Sequence, residues 1–316
     1  MKTLFRIQWA GRSARMAGAL WLLCSSAGLG AAETGKAFAT PQQAVDALGQ
    51  AVNTTNRAAL AVLFGPASET LANPDSVQGA RELSEFTAAF NTTNRLTRES
   101  DTRLVLEIGR EAWPFPIPLV KGPRGWQFDT TAGLEEILNR RIGRNELEVL
   151  GVLRAYVEAQ REYASRDRDG DDVLEYAQKF ASAPGQTDGL YWPTELNGEV
   201  SPLGPLVAEA YGAGYVGLAP EGGSGPQPFH GYLFKILTRQ GQHAPGGKYN
   251  YIINGNMIGG FALVAWPVEY GESGVMTFIV NHRGRVYQRD LGKDTAKVAQ
   301  KMDAYDPDPA WRVSAD

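Results

Sequence analysis

A single cysteine, Cys24, and three histidines are all that the 316 residues offer to thiol or imidazole chemistry. One thiol makes no disulfide within the chain and no zinc site built on thiolates. His230, His243 and His282 share no metal-ligand spacing, so no catalytic zinc is expected. Nowhere do about 20 apolar residues follow one another, the length a membrane-spanning helix needs. The run from Met16 to Cys24 is too short, and Met257 to Val268 is interrupted by Gly259, Gly260 and Pro267. Ser224 and Ser273 lie near glycines, yet neither stands in the Gly-x-Ser-x-Gly pattern of a hydrolase elbow, and no glycine-rich phosphate loop is present.

Excess positive charge is also missing. The chain has 31 Lys and Arg against 35 Asp and Glu, and four of those cations but none of the acids lie in its first 32 residues. The remainder carries a net charge of −8, which argues against nucleic acid as a partner. The first segment itself reads as a secretory leader: Lys2, Arg6, Arg12 and Arg15, then the apolar run, then Gly30-Ala31-Ala32. Cleavage is expected after Ala32, which removes Cys24 and starts the mature chain at Glu33. Leu23 and Trp21 do not suit a lipid-attachment signal at Cys24. The expected location is the periplasm or the exterior.

The rest exceeds one typical domain, and its pattern divides near Ile142 into residues 33–141 and 142–316. Thr40-Pro41-Gln42-Gln43 is a helix start with a capping box, and Val45, Leu48 and Val52 follow at helical spacing. Further helices are expected over 58–72, 76–90 and 134–141, with extended segments at 103–108, 113–120 and 125–129. In Trp113-Pro114-Phe115-Pro116-Ile117-Pro118-Leu119 the prolines fall on one side of an extended chain, which makes it an edge or lip. Asn145 and Glu148 then mark the start of a second long helix, over 146–165. Strands dominate after 228, with Asn254-Gly255 as a hairpin turn and a last helix at 294–302.

Four stretches are specific enough to identify a relationship: Trp113 to Lys121 (WPFPIPLVK), Arg140 to Leu147 (RRIGRNEL), Gly259 to Pro267 (GGFALVAWP) and Gly274 to Asn281 (GVMTFIVN). They resemble the bacterial family catalogued as domain of unknown function 2950, over nearly the whole mature chain. That resemblance implies an exported protein and transfers no activity. In pattern, residues 38–141 resemble the cone-shaped domains of the nuclear-transport-factor-2-like superfamily. The second half distantly resembles the globular part of pilins and pseudopilins, a long helix on an antiparallel meander, without their hydrophobic first helix half and its processing site. The fold class expected is therefore α+β.

The sharpest local feature is Asp167-Arg168-Asp169-Gly170-Asp171-Asp172-Val173-Leu174-Glu175. Carboxylates at alternate positions of a turn can converge on a hard cation, so Asp167, Asp169, Asp171 and Glu175 form a candidate calcium site. The competing reading has Asp171 or Asp172 capping a helix over 173–180. Arg140, Arg141, Arg144 and Glu146 crowd the junction of the halves, as an anion site or as ion pairs joining them. Tyr191-Trp192-Pro193 and Tyr249-x-Tyr251 read as core residues or as stacking platforms. With no catalytic motif assembled, the expected function is a non-enzymatic binding or scaffold protein for a periplasmic or envelope partner, with a candidate structural calcium site. The alternative is a ligand carrier or enzyme using a pocket in the N-terminal half, which buried ionisable groups converging there would favour.

Overall fold

Thr40 begins the first helix as its sequence demands. Its hydroxyl accepts from the Gln43 amide and the Gln43 side chain returns a bond to the Thr40 N–H, ahead of α1 (Pro41–Asn53). In the computed structural model, which describes residues 35–168, 170–193, 198–212 and 228–314, three further helices follow. They are α2 (Arg57–Phe64), α3 (Ser68–Leu71) and α4 (Ser76–Thr92). The single helix expected over 58–72 is broken where Gly65 takes a positive φ of 72° before Pro66.

A five-stranded antiparallel sheet covers these helices: β1 (Asn94–Ser100), β2 (Arg103–Ile108), β3 (Trp113–Pro114), β4 (Leu119–Gly122) and β5 (Gly125–Phe128). Its order is β1-β2-β4-β5, with β3 pairing β2 beside the main path, so the proline-rich segment is the lip that its missing N–H groups require. Strand β1 has no apolar alternation to announce it. It is held by six backbone pairings with β2 and by Arg95 reaching Glu107 across the ladder.

Next comes α5 (Thr130–Tyr163), 34 residues long and therefore about 51 Å. Two helices separated near Ile142 are expected from sequence; one helix crosses that point. Asn145, read above as part of a helix start, is fully buried, and its side chain bonds to distant parts of the chain rather than to its own turn. Gly143 costs the helix about 1 kcal/mol relative to alanine, too little to stop it.

After α6 (Gly204–Gly212) the chain is mostly extended: β6 (Tyr232–Leu237), β7 (Arg239–Gln240), β8 (Tyr249–Asn250), β9 (Ile252–Ile253), β10 (Asn256–Met257), β11 (Ala262–Pro267), β12 (Met276–Asn281) and β13 (Tyr287–Asp290). Helix α7 (Thr295–Lys301), β14 (Ala304–Tyr305) and β15 (Arg312–Val313) complete it. The main sheet runs β15-β13-β12-β11-β6, all antiparallel, as the expected meander requires. Between β9 and β10, Asn254 and Gly255 take φ of 54° and 97°, the positive values a tight hairpin needs. The fold is α+β with open antiparallel sheets.

Buried apolar side chains gather in two main clusters. One holds α1, Phe64, Phe90 and the first sheet, and its aromatic rings Phe64, Phe86, Phe115 and Phe128 pack edge-on or tilted. The other joins the second half of α5, from Val149 to Tyr163, to the main C-terminal sheet, where every residue of β11 is buried. Both lie within one compact unit, Glu33–Asp316, and α5 runs from one cluster to the other.

Candidate functional site

The acidic loop comes first because its residue types are the most suggestive. Asp167 Oδ1 and Oδ2 accept the N–H groups of Gly170 and Asp172, at 2.7 and 3.0 Å. Asp171 accepts from the Val173 amide at 2.8 Å and from the Asn256 side chain at 2.7 Å. Glu175 accepts the Met257 N–H at 2.8 Å. Asp169 lies outside the described residues. Among the described residues, no three His, Cys, Asp or Glu side chains group as a metal site would require. The capping alternative needs correction in one respect: residues 173–180 form no helix. They run alongside the β9–β10 hairpin instead, with the Tyr176 N–H on Met257 O at 2.9 Å and the Gln178 amide on Gly255 O at 2.7 Å. Backbone N–H groups of a tight loop satisfy the same carboxylate lone pairs that a cation would.

The junction residues have a clear arrangement. Arg141 is 3% exposed and donates to the carbonyls of Leu71 and Ala72, at 2.5 and 3.1 Å. Its burial lowers its pKa, countered by Glu82 and Glu272. Arg144 pairs with Glu82 at 2.6 Å, and Arg140 pairs with Glu136 on its own helix. Glu146 accepts from the amides of Val275 and Met276, at 3.0 and 2.9 Å, which ties α5 to the C-terminal sheet. Burial and the nearby Glu146 together push the Tyr232 hydroxyl well above the ordinary tyrosine range.

Behind these charges lies a sealed polar chain that no sequence motif marks. Asp75 caps α4 through the Val77 and Gln78 amides, and its other oxygen accepts the Gly231 N–H at 3.2 Å. Gln78 donates to Asn145 at 2.8 Å, and Asn145 donates to Ser273 O at 2.8 Å. Asp75, Gln78, Asn145 and Ser273 are each at most 2% exposed. Gly231 is required twice over: its φ is +71°, and a Cβ there would stand 2.6 Å from Asn145 Nδ2. These residues connect α4, α5 and the loops flanking β6 and β12. They join the halves by hydrogen bonds more than by the ion pairs that charge counting suggests.

The remaining sequence candidates are structural. Trp192 and Tyr251 are buried in the C-terminal core, and Tyr191 packs against it. His243 bonds Asp306 at 3.1 Å at the surface, and His282 lies on the rings of Tyr251 and Phe261. Inside the N-terminal half, the buried polar residues Asp75, Gln78, Thr130 and Arg141 each bond to the chain, Thr130 through Phe64 O at 2.8 Å. Phenylalanine rings pack together in that interior.

A concavity lies on the outside of this half. It measures about 460 Å³ and runs between α1 and the junction of α4 with β1, with Asp46, Gln50, Asn53, Thr54 and Asn94 along its sides and Phe90 below. Three of its residues, Asn53, Thr54 and Asn94, come from a repeated word: Asn53-Thr54-Thr55-Asn56-Arg57 recurs as Asn91-Thr92-Thr93-Asn94-Arg95.

No curated protein and no solved structure matches the chain. A family model described as a protein of unknown function (DUF2950) matches residues 35–314, and the chain belongs to that family.

Proposed function

We propose that this is an exported, non-enzymatic binding protein of the cell envelope, with the outer groove of its N-terminal half as the binding surface. The observation that carries this reading is how the polar groups are used. Buried ionisable groups at the junction, Asp75 and Arg141, are engaged by backbone groups of the chain itself. The side chains that line the concavity are amides, a hydroxyl, one carboxylate and the apolar Val45 and Phe90, a set that can hold a polar ligand by hydrogen bonds. Its volume falls in the range of small-molecule sites, about 300–1,000 Å³. The export half of the reading rests on the basic and apolar segment ahead of Glu33. A scaffold role would use the long helix laid on the C-terminal sheet, and the pilin-like resemblance of that half supports it.

A thermal-shift screen of small polar ligands tests the proposal, with wild type compared to Asp46→Ala and with each bound ligand recovered for mass spectrometry. Ligands that raise the midpoint of wild type, lose that effect in the variant and return unchanged are expected. A recovered product would overturn the non-enzymatic reading. Sequencing the N-terminus of protein from the periplasmic fraction should give Glu33.

A further inference from the structure

Resting on that binding reading, we propose that the groove between α1 and the end of α4 takes a saccharide of one or two rings. The two Asn-Thr-Thr-Asn-Arg words sit at the ends of two helices, and their equivalent residues do equivalent things. Thr54 and Thr92 each turn the hydroxyl back onto the carbonyl four residues earlier, Gln50 O at 2.7 Å and Ala88 O at 2.8 Å. Asn53 and Asn91 face each other and exchange amide hydrogen bonds of 3.2 and 2.6 Å. The words part company afterwards, where Asn56 caps α2 and Asn94 opens β1. The repeat thus brings two helix ends together as a matched pair at one side of the groove.

What the matched pair leaves over decides the ligand. An asparagine amide has two donors and two acceptor sites, and each member of the pair uses one of each. Asn94 donates to Phe90 O at 3.2 Å and keeps its own oxygen. Asp46 accepts one bond, from Gln42 at 2.9 Å. The Gln50 side chain makes no hydrogen bond among the described residues. Both donors and acceptors therefore remain along the groove, which suits hydroxyls that can donate and accept. Gly49 is buried against Phe90, with its absent Cβ only 2.8 Å from the ring, so helix and ring meet closely in an apolar floor beside the C–H face a sugar presents. An anion would meet Asp46 and no lining cation; a polycation would meet one carboxylate among neutral amides.

The test is isothermal titration of the purified protein with N-acetylglucosamine, maltose and cellobiose, beside spermidine and inorganic phosphate. The variants are Gln50→Ala and Asn91→Ala, both at exposed positions, with unfolding midpoints recorded for each. At least one saccharide should saturate, and each variant should bind it about tenfold more weakly, the effect of one or two lost hydrogen bonds. Saturation by spermidine or phosphate alone, weakened by the same variants, overturns the saccharide assignment and leaves the binding reading standing. Saccharide binding untouched by both variants overturns the location. If no probe of any class binds, the binding reading falls with it.

Discussion

Asn145 and Asp171 do the same kind of work in two very different places. Each side chain engages one backbone group and one distant amide side chain: Ser273 O and Gln78 for Asn145, the Val173 N–H and Asn256 for Asp171. Asn145 does so with no exposure at all, between α4, α5 and the loop ahead of β12. Asp171 does so on an exposed loop, where water can replace either partner. A hydrogen bond broken in water costs little, whereas a buried group left without a partner costs its full desolvation, about 1–3 kcal/mol. The charged loop draws the eye in the sequence, and the buried seam is expected to carry more of the stability.

The largest effect that would sharpen this contrast is expected from Asn145→Ala. It strands Ser273 O and the Gln78 amide inside the molecule, and the loss should be about 3 kcal/mol, read from denaturant unfolding with m unchanged. Gly231→Ala should be of similar size, because it combines a strained positive φ with a clash onto Asn145. A cost below about 1 kcal/mol for both would mean that the seam is no more valuable than the loop.

His282 lies between the two extremes, partly buried and without a partner for its ring Nδ1 among the described residues. Burial first, and then the neighbouring Arg283 and Arg161, hold its pKa below the ordinary histidine value, while a backbone bond to Phe261 opposes them. The folded state therefore binds this proton less readily than the unfolded chain. Its contribution is complete above about pH 6.5 and is lost as pH falls from there through the folded pKa. Unfolding measured from pH 8 to pH 5 should show stability declining in that window, with a flatter profile for His282→Gln. Asp303, held low by its hydrogen bond from Arg239, titrates in a more acidic window and should leave this one alone.

The smallest effect belongs to the loop. Asp171→Ala should cost about 0.5–1.5 kcal/mol for its exposed bonds. Comparing the unfolding midpoint of wild type in millimolar calcium and in chelator tests the candidate site of Asp167, Asp169, Asp171 and Glu175: equal midpoints leave the loop held by its N–H bonds alone. A midpoint that rises with calcium, and an Asp171→Ala variant that loses the rise, would show that the loop holds a cation.

Much of the fold was legible from local signals. The capping box at Thr40, the proline lip and the Asn254-Gly255 turn each report on a few neighbouring residues, and each is found where its sequence places it. The features that were not legible depend on residues far apart. Asn145 has the look of a helix cap until Gln78 and Ser273, 67 and 128 positions away, are brought beside it. Strand β1 is polar and is defined by β2 rather than by its own pattern. For the candidate site the limits were similar. The acidic loop was visible as composition, while the groove is assembled from residues of α1 and of the α4–β1 junction, whose two copies of one short word, 38 residues apart, meet at Asn53 and Asn91.

The unbroken course of α5 has a consequence for how this chain can change length. Each residue added to an α-helix turns everything beyond it by about 100° and advances it by about 1.5 Å. Between Arg141, which grips the Leu71–Ala72 turn, and Asn145, which reaches the Ser273 loop, that rotation would swing one grip away from its target while the other stayed in place. The helix therefore acts as a phase reference shared by both cores. Insertions and deletions should be tolerated in the turns on either side of it and refused between residues 141 and 145, where a single extra residue would do more harm than most substitutions.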